Sequence, residues 1–425
     1  MNNEKEFKDL PEGWKWVRLG EIANLVKDIS PEGSKPYLEI GDIDIHSKNY
    51  IIKEKESPNH CIKAKRGNIV ISKVRPTRGA ISLIKEAFLY VSPAFSVLEA
   101  DNSTFLFYSL SRRQFFNYLG TLETGTTYPS VNDKDVMNYE LPLPPLPEQQ
   151  KIAEILETVD NTIEKTEKII EKYKRIKQGL MQDLLTKGID ENGNIRDEKT
   201  HRFKDSPLGR IPEEWEVVRL GEVGEIITGS TPPTENSEYY GDEYLFISPE
   251  DIQNKKYIEN TTKKLTKLGM NIQRKISPMS ICVVCIGSTI GKIAITKYEC
   301  STNQQINTII PNLKLYDPEA LYYFINFHIQ SPLKIEAGLQ AVPIVNKSAF
   351  SKIPLPLPPL PEQQRIAEIL TQIDQTIEKE QQYKEKLQKI KQGLMQDLLT
   401  GKVRVNNLVE EKENEQRYTN NFTRA

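Results

Sequence analysis

Leu141-Pro-Leu-Pro-Pro-Leu-Pro-Glu-Gln-Gln150 occurs twice in this chain, the second time unchanged as residues 355–364. The match continues. Residues 141–186 align with 355–400 without a gap at an offset of 214, and 33 of the 46 positions are identical, ending in the unbroken run Ile176 to Thr186. Upstream, LPEGWKWVRLGEI at 10–22 recurs as IPEEWEVVRLGEV at 211–223, an offset of 201. The difference between the two offsets falls inside the part that the copies do not share. The chain therefore reads as variable, conserved, variable, conserved, and a repeat of this size decides the architecture before any single motif does.

Each conserved segment reads as a long helix. The prolines from Pro142 to Pro147 and from Pro356 to Pro361 are expected to stop both a strand ladder and a helix. Glu148 and Glu362 then stand where a helix start favours negative charge. Ile152, Ile155, Val159 and Ile163 follow at helical spacing, with Ile366, Ile369, Ile373 and Ile377 in the second copy, and these are the expected helix-pairing residues. From Glu148 to Leu185 the helix would run about 57 Å at 1.5 Å per residue. That is long for an isolated globular helix, so its apolar stripe needs a coiled-coil partner, and the other copy is the natural one. The linker from Lys187 to Arg210 could span about 80 Å when extended, which makes an antiparallel return feasible. Gly179 and Gly393 interrupt the stripe and predict close packing or an end to the regular helix.

The 425 residues allow two or three domains. Lys plus Arg number 57 against 59 Asp plus Glu, so net charge does not advertise a polyanion partner. Only 38% of residues are apolar, the longest clean apolar run is Ile281 to Ile286, and no stretch approaches a membrane span. Met1-Asn-Asn-Glu-Lys-Glu lacks a secretory signal, and four cysteines suggest a reducing compartment; a cytoplasmic protein is expected.

The variable segments show short β-branched runs broken by turn signals, with helical patterns at Thr104 to Leu119 and Pro318 to Gln330. An α+β fold follows. Their charge is unevenly spread. Between Glu56 and Glu86 there is no acid, whereas Lys63, Lys65, Arg66, Lys73, Arg75, Arg78 and Lys85 all occur. Between Glu259 and Glu299 the same happens with Lys263, Lys264, Lys267, Arg274, Lys275, Lys292 and Lys297. Corresponding acid-free basic stretches suit contacts to DNA phosphates, and arginine can also read guanine in a major groove. Thr126, Thr127, Tyr128, Ser288 and Thr289 could add hydroxyl contacts.

Catalytic patterns are missing. Gly287-Ser-Thr-Ile-Gly291-Lys292-Ile293 has three residues between its glycines and an isoleucine where a phosphate loop needs a hydroxyl. Cys282 and Cys285 lie in an apolar run and read as buried core, and the four histidines have no metal spacing. Pro249-Glu-Asp-Ile-Gln253 has glutamine where a nuclease cluster would want lysine.

Taken with its copy from Ile211, Leu10-Pro-Glu-Gly-Trp-Lys-Trp-Val-Arg-Leu-Gly20 resembles a motif of the specificity subunits of type I restriction-modification systems. So do Pro144-Pro-Leu-Pro-Glu-Gln-Gln-Lys-Ile-Ala-Glu-Ile-Leu156 and its copy from Pro358, and the exits Gly179 to Leu185 and Gly393 to Leu399. The resemblance covers almost the whole chain. It implies an α+β protein with two pseudo-symmetric target recognition domains joined by two long helices that form an antiparallel coiled-coil spacer. The implied domains are 1–147 and 211–361, the helices 148–186 and 362–400, the linker 187–210, and a disordered tail 401–425. The subunit would not be an enzyme. Each domain would read one half of an asymmetric, bipartite site in double-stranded DNA. Two modification subunits that bind S-adenosylmethionine and methylate adenine would be partners. So would restriction subunits that use ATP, and magnesium, like these cofactors, would belong to the partners and not to this chain. Phe7-Lys-Asp-Leu-Pro11 is shorter than its counterpart Phe203 to Pro212, which leaves open how the first repeat is closed. The competing readings are an enzyme fused to recognition domains, for which no stretch of chain is left over, and a helical scaffold that binds only proteins.

Overall fold

The computed structural model describes residues 10–30, 34–53, 55–57, 60–253, 255–338 and 343–408. They fall into two compact units, one from residues up to Lys168 together with those from Gln382 onward, the other Ile169–Gln381. Each unit thus contains one variable segment, the first part of one long helix and the last part of the other.

In the first unit, Lys15–Arg18 pairs antiparallel with Glu140–Leu143, Arg18 opposite Glu140 and Lys15 opposite Leu143. The two repeated motifs therefore meet, and the variable segment is a loop of chain closed at its root. A four-stranded sheet runs in the order Ala23–Leu25, Phe95–Ala100, Ile69–Ser72, Ile81–Leu83, and a second in the order Ile29–Ser30, Cys61–Lys65, Phe88–Val91, Tyr37–Leu38. Their shared strand residues alternate between two cores: Ile69 and Ile71 face the helices, while Val70 faces the second sheet.

The second unit repeats the plan. Glu216–Arg219 pairs with Pro354–Leu357 at its root. Gly224–Thr228, Ile306–Pro311, Ile281–Val284, Ile293–Thr296 and Tyr257–Ile258 form a five-stranded sheet beside a smaller four-stranded one. The expected proline stop is corrected by these ribbons. Pro142 and Pro356 lie within strands, which a two-stranded ribbon tolerates because both of its strands are edges.

The long helices span Leu146–Leu184 and Leu360–Leu398, 39 residues each. They begin two residues earlier than expected, because Pro147 and Pro361 fall in the first turn, where a missing N–H costs nothing. The pairing is antiparallel. In the first unit Glu167 meets Lys384 at 3.1 Å and Asp160 meets Lys391 at 2.6 Å, a step of seven back along one helix for seven forward along the other. In the second unit Lys177 meets Asp374 at 2.5 Å. Ile152 and Ile366 are fully buried, Ile155 and Ile369 pack beside them, and Val159, Ile163, Ile373 and Ile377 are half-buried. Ile152 joins Trp14 and Leu398 in one core and Ile366 joins Trp215 and Leu184 in the other, so the helix starts are built into the domains as well as against each other. Gly179 and Gly393 mark neither close packing nor a helix end: both lie inside the helices, and a Cβ there would meet nothing within 4 Å.

The closure left open by the short first linker is supplied by the chain after the second helix. Trp14 donates to Glu148 Oε2 at 3.0 Å, and Arg404 donates to both carboxylate oxygens at 2.8 and 2.9 Å. In the second unit Trp215 donates to Glu362 at 3.3 Å, Arg196 donates at 2.5 and 3.0 Å, and the Ile189 N–H adds a bond of 2.9 Å. Gly188 and Gly401 turn the chain back with φ of +65° and +73°; a Cβ on Gly188 would lie 2.1 Å from the Glu362 carboxylate. Gly401 and Val405 are buried and Arg404 is bound to Glu148, so this stretch is attached to the first unit although it falls within the expected disordered tail. Residues 409–425 lie outside the described part.

Candidate nucleic-acid interface

The acid-free basic stretches of the sequence do not fold into single patches. In the first unit Lys63 and Lys65 lie on Cys61–Lys65, with Arg66 in the turn after it, and the Lys63 ammonium sits 5.0 Å from the centre of the Phe88 ring. Lys73, Arg75 and Arg78 leave from the end of Ile69–Ser72 in the other sheet. Lys73 is paired with Asp133 at 3.1 Å, an acid distant in sequence, and Lys85 reaches Asn49 at 3.3 Å and Glu164 at 3.8 Å on the long helix. In the second unit Lys263 and Lys264 lie on Lys263–Leu265, Lys267 starts a short helix, and Arg274 donates to the Thr228 carbonyl at 2.5 Å beside exposed Lys275. Lys297 is paired with Glu259 at 2.6 Å. The Lys297 pair is exposed, holds little energy and can exchange for phosphate, whereas the Lys73 pair is half-buried; neither lysine is a free charge.

One arrangement recurs in both units. The segment Val74 to Gly79 runs beside the turn at Thr124 to Val131: Val74 bridges Ser130, the Arg75 N–H donates to the Pro129 carbonyl at 2.7 Å, and Val131 N–H donates to Lys73 at 3.0 Å. In the second unit Ile286 bridges Ile344, Gly287 N–H donates to Pro343 at 3.0 Å, and Val345 N–H donates to Cys285 at 2.8 Å. The frame is the same, and left-handed residues bound it: Arg75 at φ +48° and Gly79 at +76°, Gly287 at +97° and Gly291 at +89°. The contents differ. One loop presents Arg75, Pro76, Thr77 and Arg78; the other presents Gly287, Ser288, Thr289 and Ile290, followed by exposed Lys292. The sequence that superficially suggests a phosphate loop is the second unit's version of this frame.

Arg75 occupies a backbone region that residues other than glycine avoid, which carries some conformational cost. It lies 5.3 Å from the centre of the Tyr128 ring and donates to the Thr127 carbonyl at 3.4 Å. Tyr128 is 68% exposed, and Thr126 and Thr127 are exposed beside it. An arginine stacked on an open tyrosine, flanked by hydroxyls and by Arg78, is suited to a phosphate or to the edge and face of a base.

Cys282 lies on Ile281–Val284 and Cys285 just past its end; they are buried in different cores, and burial pushes both thiols up to about 12. Asp251 accepts from the N–H groups of Ser248 and Thr262 at 2.9 and 2.7 Å and shapes a turn. Among the described residues no group of His, Cys, Asp and Glu is placed to hold a metal ion, and no helix is long and apolar enough to cross a membrane.

Sequence comparison agrees with this architecture. Residues 11–175 and 212–389 each match the type I restriction modification DNA specificity domain. The chain is 32% identical to the type I restriction enzyme MjaVIII specificity subunit of Methanocaldococcus jannaschii, over 95% of this chain and 97% of that one. It is 26% identical to the HindI specificity subunit of Haemophilus influenzae, over 81% and 90%. Among solved structures, the S subunit of a type I restriction-modification system from M. genitalium aligns with a TM-score of 0.61 at 16% identity, covering 93% of this chain and 97% of that one. A chain from a structure on complex assembly and conformational transition of a type I system aligns at 0.52 and 23%, covering 93% and 100%. This protein therefore belongs to the specificity subunits of type I restriction-modification systems. It is a DNA-recognition subunit and not an enzyme, and each matched region contains one target recognition domain together with the larger part of a long helix.

Proposed function

We propose that each recognition domain reads one half of a bipartite, asymmetric site in double-stranded DNA, and that the paired helices set the distance between the halves. The observation that carries this reading is the repeated loop frame with different contents: two arginines in one unit, small hydroxyl residues and a lysine in the other. Two readers that share a backbone and differ in side chains recognise two different half-sites. Double-stranded DNA binding through Lys63, Lys65, Arg66, Lys73, Arg75, Arg78, Lys263, Lys264, Arg274, Lys275, Lys292 and Lys297 is part of the same proposal.

Two modification subunits dock on the helices in this reading. Exposed Ile169 and Ile176, followed by bare Gly179, have repeat counterparts in Tyr383, Ile390 and Gly393, which gives two matching apolar strips for two copies of one partner. S-adenosylmethionine, ATP and magnesium are carried by the modification and restriction subunits, and the complex works in the cytoplasm.

Co-expression with the modification subunit, followed by long-read mapping of N6-methyladenine, tests the proposal. One split, asymmetric motif is expected; an unbroken or palindromic motif would overturn it. DNA binding should weaken linearly on a log–log plot against salt, and Arg75→Ala should lower the slope by about one. A complex that binds the modification subunit but shows no salt-dependent DNA affinity would favour the protein-scaffold reading.

A further inference from the structure

A second contact repeats between each domain and its helices. In the first unit Tyr108, on the helix Ser103–Leu110, donates to Asp160 Oδ2 at 2.8 Å; Lys391 meets Asp160 Oδ1 at 2.6 Å, and its ammonium lies 5.5 Å from the centre of the Tyr108 ring. In the second unit Tyr323, on the helix Pro318–His328, donates to Asp374 Oδ2 at 2.7 Å; Lys177 meets Asp374 Oδ1 at 2.5 Å and lies 5.9 Å from the Tyr323 ring centre. The aspartates are repeat counterparts, and so are the lysines, which come each time from the opposite long helix. Both tyrosines are buried, and burial foremost, with the neighbouring carboxylate, raises the pH at which they would ionise, so that they stay donors.

The position of this contact matters more than its strength. Ile152 and Ile366 root each domain at the start of its helix, and the aspartate stands eight residues further on, about 12 Å along the axis. A root alone lets a domain rock; a polar contact about 12 Å further on, followed in the first unit by the weaker, exposed Lys85–Glu164 pair at 3.8 Å, sets its angle.

We propose that Tyr108–Asp160–Lys391 and Tyr323–Asp374–Lys177 are positioning nodes that set the angle of each recognition domain on its helix pair and thereby restrict the base-pair spacing accepted between half-sites. The inference rests on the bipartite reading above. The nodes are unequally supported. In the second unit Lys256 bonds Thr371 at 2.8 Å and Tyr323 at 3.3 Å and pairs with Glu319. The counterparts Thr104 and Glu157 in the first unit, together with Tyr108, Asp160 and Lys391, line a cavity of about 640 Å³. The first node has room to give way.

The full chain, assembled with its modification subunit, is assayed on a DNA library in which the two half-sites are separated by the natural spacing and by one base pair more and less. Tyr108→Phe with Lys391→Met should raise methylation of the off-length sites relative to the natural site about tenfold, with half-site sequences unchanged. Lys391→Arg should behave as wild type. Tyr323→Phe with Lys177→Met should give a smaller rise, and a larger one would overturn the role of Lys256. An unchanged spacing ratio in a variant that methylates the natural site would overturn the positioning role. If the double variant does not assemble, Tyr108→Phe alone, which removes one oxygen, is read in the same way. A wild-type complex that recognises no bipartite site would instead refute the underlying reading.

Discussion

At the scale of residues, two buried carboxylates organise the molecule. Glu148 and Glu362 look in sequence like ordinary helix-start acids, yet each is closed over by an indole N–H and a forked guanidinium. Removing the cation leaves a buried charge with too few partners. Arg404→Ala should therefore destabilise the first unit by about 2–3 kcal/mol in urea titrations of the full chain. An effect under about 0.5 kcal/mol would mean that water replaces the guanidinium without cost. The sequence points to the acids and tryptophans through the repeat. Arg404 and Arg196 are not legible in it, because the segments that carry them diverge and only folding brings both to the same kind of site.

At the scale of elements, the long helices are legible and their neighbours are not. Periodicity identifies Ile152 and Ile366 as inward-facing, but whether they meet a helix or a domain core depends on contacts far away in sequence. The glycines give a direct check. With φ in the helical range and no atom near a Cβ, Gly179→Ala and Gly393→Ala should each stabilise the isolated chain by about 0.5–1 kcal/mol. A loss of stability on thermal melting would show that these backbone positions are already packed against.

The helix Pro318–His328 supplies a pH dependence. His328 is half-buried beside Phe324 and Phe327, its Nε2 lies 2.8 Å from the Leu185 carbonyl, and desolvation lowers its titration. The unfolded chain then binds the proton more readily. Stability is full above the unfolded value of about 6.5 and falls as pH drops below it, by at most about 1.4 kcal/mol per pH unit for this one proton. His328→Phe should flatten the decline in melting temperature between pH 7.5 and 5.5; an equal decline in the variant would assign it to other groups.

At the scale of the whole molecule, each variable segment enters and leaves through one ribbon, Lys15–Arg18 with Glu140–Leu143 and Glu216–Arg219 with Pro354–Leu357. A domain closed at its root can be exchanged as a unit when the incoming segment keeps counterparts of Trp14 and Tyr108, which hold it to the helices. Replacing residues 12–140 with the corresponding segment of another specificity subunit should change one half-site in methylation maps and leave the other intact. A change in both halves would sink modular recognition.

The repeat and the long helices can be read from the chain alone, because they are written in local spacing and in the identity of the copies. Folding settles which basic residues are paired, since Asp133 and Glu259 neutralise Lys73 and Lys297 through space. It alone brought Arg75 onto Tyr128 and Arg404 onto Glu148, because such contacts depend on where the backbone returns, and no periodicity in the chain records that.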